Sequence, residues 1–154
     1  ANNFCNLAVE AEMAIKVDAG ANITSVFPII ELHNFVFRAP NKTLSELIAN
    51  NGLNRGLVTS AEIWEKPPDF YENKLSLSLE INGSEIDSGE LWAMEGGPVS
   101  SLHWLQNHLA DHDLTILPGY IILVGTALGL YKVRAGDRID VKLDGEKAVN
   151  CFIN

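Results

Sequence analysis

The feature that most constrains the fold is alternation at period two, met in four stretches and twice closed by a tight-turn dipeptide. Leu75, Leu77, Leu79 and Ile81 alternate with Ser76, Ser78 and Glu80 up to Asn82-Gly83, and Ile86 to Met94 returns as the partner strand. Ile139, Val141 and Leu143 run to Asp144-Gly145, and Val149, Cys151 and Ile153 alternate beyond it, a closing hairpin. The same period in Val9–Asp18 predicts a half-buried strand. Strands of this kind need a second layer to bury their apolar faces, so most of the chain is committed to packed sheet.

Helical signals are fewer. Asn41 to Ala49 reads as a short helix, with Thr43 and Glu46 at capping-box spacing and Gly52 where a helix stops. Gly96-Gly97-Pro98 opens a second one over Val99–Asp111, with Val99, Leu102, Leu105 and Leu109 as its apolar stripe and Trp104 as a core anchor. Val26–Leu32 is an apolar run that Pro28 places at a strand start or edge. Asn54 to Ile63 passes from loop to strand through Gly56-Leu57-Val58, and Pro67-Pro68 supplies a connector. Tyr120–Val124 suits a strand buried on both faces. The count favours a mixed-β core with peripheral helices in one domain, 1–154.

Composition narrows the function classes. A hydrophobic fraction of 47% with 20% charged residues is globular, and a net charge of −9 argues against a nucleic-acid surface. No apolar stretch is long enough to cross a bilayer. Cys5 and Cys151 make no disulfide framework, so reduced thiols and a cytoplasmic setting are the default. Asn22, Asn41 and Asn82 each begin a glycosylation-type triplet, a pattern too common to place the protein.

Within the first strand, period two puts Glu10 and Glu12 on one side, their Cα atoms roughly 7 Å apart. Like charges so placed repel, and a hard divalent cation relieves them with carboxylate ligands. A solvated strand face fits the same spacing, because Lys16 and Asp18 continue that side. Glu31 is the third acidic candidate. His33, two residues on, faces the same way as Glu31, either as a further ligand, as an acid or base, or as a strand-end hydrogen bonder. Arg55 could grip a substrate carboxylate or be an ordinary surface arginine. His108 and His112 share a helix face with His103 nearby, but the glutamate of the His-Glu-x-x-His zinc pattern is missing, so a solvated face is the better reading.

Glu10-Ala-Glu12 in a strand resembles the paired metal-ligand glutamates of the fumarylacetoacetate hydrolase superfamily. Pro28-Ile-Ile-Glu31-Leu resembles the segment carrying its third acidic ligand. Leu79-Glu-Ile-Asn-Gly83, Gly97-Pro98, Ser101-Leu-His-Trp104-Leu, Leu117-Pro-Gly119-Tyr-Ile-Ile-Leu123-Val-Gly125 and Val133-Arg-Ala-Gly136-Asp137-Arg-Ile139 follow in the order of its 2-keto-4-pentenoate hydratase and 2-oxo-hexenedioate decarboxylase branch. The resemblance implies an α+β fold, a mixed β-sheet roll with two short peripheral helices. It further implies a divalent cation, Mg2+ or Mn2+, on Glu10, Glu12 and Glu31. Its Lewis acidity would stabilise the enolate of a 2-oxo acid during hydration of a 2-hydroxypenta-2,4-dienoate type substrate. The sibling decarboxylase, or a non-catalytic member binding a metal or partner, are the alternatives.

Departures from the family pattern are specific. Only nine residues precede Glu10, where the family carries a long segment with a catalytic lysine and acidic groups, so the chain reads as a core without that N-terminal segment. An edge strand left uncovered by it would favour a homo-oligomer. Leu53-Asn54-Arg55-Gly56 replaces a loop rich in small hydroxyl residues. Val124-Gly125 stands where serine or threonine precedes glycine, with Thr126 as the nearest hydroxyl. His33, Arg55 and Thr126 are therefore the remaining catalytic candidates.

Overall fold

Two antiparallel sheets share one apolar core, and the strand carrying Glu10 and Glu12 runs through the middle of the first. The computed structural model describes residues 3–37, 43–60, 66, 69–70 and 74–154. β1 (Leu7–Val17) and β2 (Ile23–Asn34) form a long ladder from Leu7↔Asn34 to Val17↔Ile23. β3 (Asn54–Val58) extends the sheet beyond β2; β6 (Ile121–Leu123) and β7 (Tyr131–Lys132) both pair with the other edge of β1. The second sheet has the order β5-β4-β8-β9, from β4 (Ser76–Ile81), β5 (Ser84–Glu90), β8 (Arg138–Leu143) and β9 (Glu146–Phe152). With α1 (Leu44–Ala49) and α2 (Gly97–Ala110) at the periphery, this is the α+β class expected.

Each face of β1 has its own environment. Val9, Ala11, Met13, Ile15 and Val17 pack with Leu77, Leu79, Ile139, Val141 and Val149 of the second sheet. On the opposite face Ala14 joins Phe27, Ile29, Leu57 and Leu123 in a smaller apolar cluster. The half-buried strand is thus buried on both faces, and Glu12 is only 4% exposed. That removes the solvated-face reading for Glu12.

Local chemistry explains the turns and the first helix. Asn82 and Gly83 both have positive φ, 55° and 79°, the backbone a two-residue hairpin needs between β4 and β5. Thr43 caps α1 as expected: its hydroxyl accepts from the Glu46 N–H, and the Glu46 carboxylate accepts from the Thr43 N–H at 2.9 Å. A single 3₁₀ turn, Asn51–Leu53, then leads into β3. Asn41, Ile63 and Pro67-Pro68, invoked above for this part of the chain, lie outside the described residues.

Several expectations are corrected. Pro28 sits inside β2, opposite Met13, and not at the strand's start; the edge placement fits, since β3 pairs with β2 only from Ile30 to His33. Val26 exchanges both backbone hydrogen bonds with Lys66, on the side away from β1, so Pro28 two residues on turns its N atom to that same side and costs no bond to β1. The run Tyr120–Val124 yields only the three-residue edge strand β6, with Ile121 39% exposed. β5 ends at Glu90, short of Met94. Of the α2 stripe only Leu102 is fully buried, and Trp104 is 59% exposed, stacked on His108 with ring centroids 5.1 Å apart. An aromatic face satisfied by a neighbouring ring on its own helix needs no place in the core. No helix among the described residues is long and apolar enough to cross a membrane.

Candidate metal centre

The β1–β2 register assembles the site. Glu10 pairs directly with Glu31, Ala8 with His33 and Glu12 with Ile29, so all four polar side chains share the face opposite the main core. Glu10 and Glu31 are cross-strand neighbours; His33 is diagonal to Glu10, and Glu12 is diagonal to Glu31. The apolar cluster of Ala14, Phe27, Ile29, Leu57 and Leu123 fills the rest of this face and keeps water from the deeper carboxyls.

Each carboxyl has a distinct set of partners. Asn54 Nδ2 donates to Glu31 Oε1 at 2.7 Å, made possible by the register irregularity between Leu32 and His33 that brings Asn54 opposite His33. Glu31 Oε2 is left facing His33 Nε2 at 3.3 Å, and Glu10 Oε2 lies 3.1 Å from the same nitrogen. The ring N–H is aligned with neither oxygen, so these are charge contacts without a directed hydrogen bond. Glu12 Oε1 accepts from the Gly125 N–H at 2.6 Å across 113 residues of sequence. Gly125 has a φ of +88°, where a side chain would be strained, and this turn aims its N–H at the carboxyl.

Burial and crowding shift the titrations in opposite directions. Glu12 is pushed up to about 8, first by burial and then by the hydrogen bond and negative charge of Glu31. For Glu31 burial also acts upward, but His33, Glu12 and Asn54 together outweigh it and hold the group below its usual value. Burial favours a neutral His33, yet the carboxylates of Glu10 and Glu31 overcome it and push the ring up to about 9. Without a cation, the cluster is therefore quieted by a proton on Glu12 and a charge on His33.

The donor atoms that converge most tightly are one oxygen each of Glu10 and Glu31 and a nitrogen of His33, all within 4.8 Å of one another. Carboxylate oxygens with one imidazole suit a divalent cation, and the unaligned His33 nitrogen is a donor in want of a partner. The residues present thus fit the metal that the fold family implies, with Glu12 adjoining through Glu31. Arg55 is exposed on β3 and forms no ion pair with these carboxylates among the described residues. Thr126 Oγ1 accepts from the Leu128 N–H at 3.1 Å, beside the Gly125 turn. His103, His108 and His112 are exposed on or just past α2, with His108 and His112 in edge contact. Sequence reasoning missed Asn54 and Gly125 as partners of the site. Asn54 lies in the tetrapeptide noted as unlike the family loop, whereas no local signal marks Gly125.

Residues 7–152 match the model of the fumarylacetoacetate (FAA) hydrolase C-terminal family, so the chain belongs to that family. It is 26% identical over 154 residues to a 4-oxalocrotonate decarboxylase of Pseudomonas putida, covering 92% of this chain and 58% of the relative. A 2-oxo-hept-4-ene-1,7-dioate hydratase of Escherichia coli is 26% identical over 133 residues, covering 82% and 49%. The fold superposes on 4-oxalocrotonate decarboxylase from Pseudomonas putida G7, complexed with magnesium and adipate. The TM-score is 0.87 at 23% identity, covering 99% of this chain and 62% of that one. The chain spans about half the length of the curated relatives it matches.

Proposed function

We propose that this chain is the catalytic core of a lyase acting on 2-oxo acids, a hydratase-like enzyme that adds water to a 2-hydroxydienoic acid with the help of a divalent cation. The single observation that carries the reading is the convergence of Glu10, Glu31 and His33 beside a buried Glu12. Glu10, Glu12 and Glu31 would hold the ion, Mg2+ or Mn2+. Once bound, it supplies Lewis acidity for polarising a substrate ketone and steadying the enolate that hydration requires.

The chain's own residues do the positioning. Asn54 occupies Glu31 Oε1 and so fixes Oε2 toward the cluster. The Gly125 N–H holds Glu12 from the opposite edge of the sheet. The apolar residues Ile29, Phe27 and Leu57 exclude water on one flank, which strengthens every charge interaction within. Arg55, exposed on β3, and Thr126, next to the Gly125 turn, are the candidates for contacting the organic acid.

A second reading, decarboxylation of an oxo-enedioic acid, is favoured by the match to the decarboxylase of Pseudomonas putida. Both reactions use the same stabilised enolate. The test is spectrophotometric: 2-hydroxypenta-2,4-dienoate and 4-oxalocrotonate are supplied with Mg2+, with Mn2+ and with a chelator. Metal-dependent loss of the dienol band supports the hydratase; carbon dioxide release from the second acid supports the decarboxylase. Neither reaction from a chain that binds the ion refutes both and leaves a non-catalytic binding member. We further infer self-association, because Leu114, Leu117, Tyr120 and Ile121 are 39–56% exposed along one short run; a monomer by light scattering refutes it. Both cysteines are free thiols, which suits a reducing compartment such as the cytoplasm.

A further inference from the structure

His33 is buried without being satisfied. It is 6% exposed, both ring nitrogens are shut away from water, and neither makes an aligned hydrogen bond. A polar group so placed weakens the folded state unless something else completes it. Its Nε2 is aimed into the carboxylates, 3.1 Å from Glu10 Oε2 and 3.3 Å from Glu31 Oε2.

Two explanations compete for that placement. In an ion pair the single ring N–H would point at one oxygen, and here it points squarely at neither. In a coordination sphere the nitrogen lone pair and the two oxygens face a common centre. Adjacent ligands then lie about 3 Å apart when the bonds are about 2.1 Å long. The spacings of 3.1 and 3.3 Å fit a coordination sphere as well as an ion pair, and the misaligned ring nitrogen favours the sphere. The side chain is set by the strand register: Ala8, the residue opposite His33, is small enough to leave the ring lying across toward Glu10.

We propose that His33 is a metal ligand through Nε2, and that its nitrogen tilts the centre away from magnesium toward a borderline first-row ion such as manganese. Magnesium is hard, prefers oxygen and gives up water reluctantly, whereas imidazole suits the transition ions. The inference rests on the reading that these carboxylates hold a divalent cation, and goes beyond it by adding a nitrogen donor and a metal preference.

The test uses the whole chain stripped of metal by a chelator, with folding checked by circular dichroism. Mn2+ and Mg2+ are titrated separately by calorimetry, and the spin-echo modulation of the Mn2+ complex is read for coupling to 14N. His103, His108 and His112 are replaced together by Gln in the parent used for spectroscopy, which leaves His33 as its one histidine. The expected result is nitrogen coupling in that parent, with Mn2+ bound about tenfold or more tighter than Mg2+. His33→Gln should erase the coupling and lower Mn2+ affinity about tenfold or more, while Mg2+ affinity stays within about threefold.

Carboxylate-dependent Mn2+ binding without nitrogen coupling overturns the assignment and leaves the carboxylate site standing, as shown by its loss in Glu31→Gln. Tighter Mg2+ binding by His33→Gln also overturns it, since the ring would then be a competing cation. No binding of either ion refutes both this inference and the proposed function. If His33→Gln fails to fold, the coupling in the single-histidine parent decides alone.

Discussion

In the metal-free chain, stability should fall as pH rises from 4.5 to 6.5, and Glu12→Gln should abolish that fall. Glu12 is pushed from 4.5 to about 8, foremost by burial. The unfolded chain releases this proton near 4.5, while the folded chain keeps it to about 8. Between those values the folded state binds more protons, so stability declines with rising pH. The lower part of the window belongs to Glu12. His33, raised from 6.5 to about 9, adds its own loss only above 6.5, and Glu31, held under its usual value of 4.5, acts below the window.

Full slope is about 1.36 kcal/mol per pH unit, and partial ionisation of the unfolded chain near its pKa trims the two-unit total to roughly 2 kcal/mol. Glutamine can still accept from the Gly125 N–H and donate to Glu31, so the variant keeps the contacts and loses only the titration. Urea midpoints at several pH values in chelator, for both chains, give the difference directly. General charge repulsion in a chain of net charge −9 cancels in that difference. Parallel profiles for the two chains, differing by a constant, would refute the assignment of a buried, protonated Glu12.

Loading a divalent ion should expel the protons held by Glu12 and His33, about two per ion near neutral pH, with affinity climbing as pH rises. Calorimetry in buffers of different ionisation enthalpy counts them, and zero release counts against ligand roles for these groups. Asn54→Ala frees Glu31 Oε1 from its 2.7 Å donor and should weaken ion binding by about tenfold. Its cost to the fold should be about 1 kcal/mol; a larger loss of stability with unchanged affinity would make Asn54 structural only. Leu79→Ala, at a side chain with 0% exposure between the sheets, should cost about 2–5 kcal/mol by urea unfolding. A loss under about 1 kcal/mol contradicts a core shared by both sheets.

What was legible in the sequence is what local chemistry decides. Asn82-Gly83 and Asp144-Gly145 demand positive φ and became the two hairpin turns. Thr43 and Glu46 satisfy each other across one helical turn and so mark the start of α1. Period two placed Glu10 with Glu12 and Glu31 with His33, each pair on its own strand. Joining the pairs required the β1–β2 register, which the sequence leaves open. Gly125 was beyond reach because its bond to Glu12 is tertiary. Trp104 and Tyr120–Val124 were misread because apolar character signals burial only on average; one stacks along its helix and the other lies at a sheet edge.

β1 meets one neighbour almost at once and waits for the others. β2 follows it through a short turn, but Leu123 and Lys132, which pair with Ala14 and Ala8, emerge from the ribosome more than a hundred residues later. Until then, a nascent chain presents the bare flank of β1, with Glu12 uncapped beside it, to chaperones and to other copies of itself. The acidic centre gathers on the β1–β2 ladder, but Glu12 gains its donor only when Gly125 has arrived. Chains cut off before Gly125 should aggregate and not fold with a merely weakened centre.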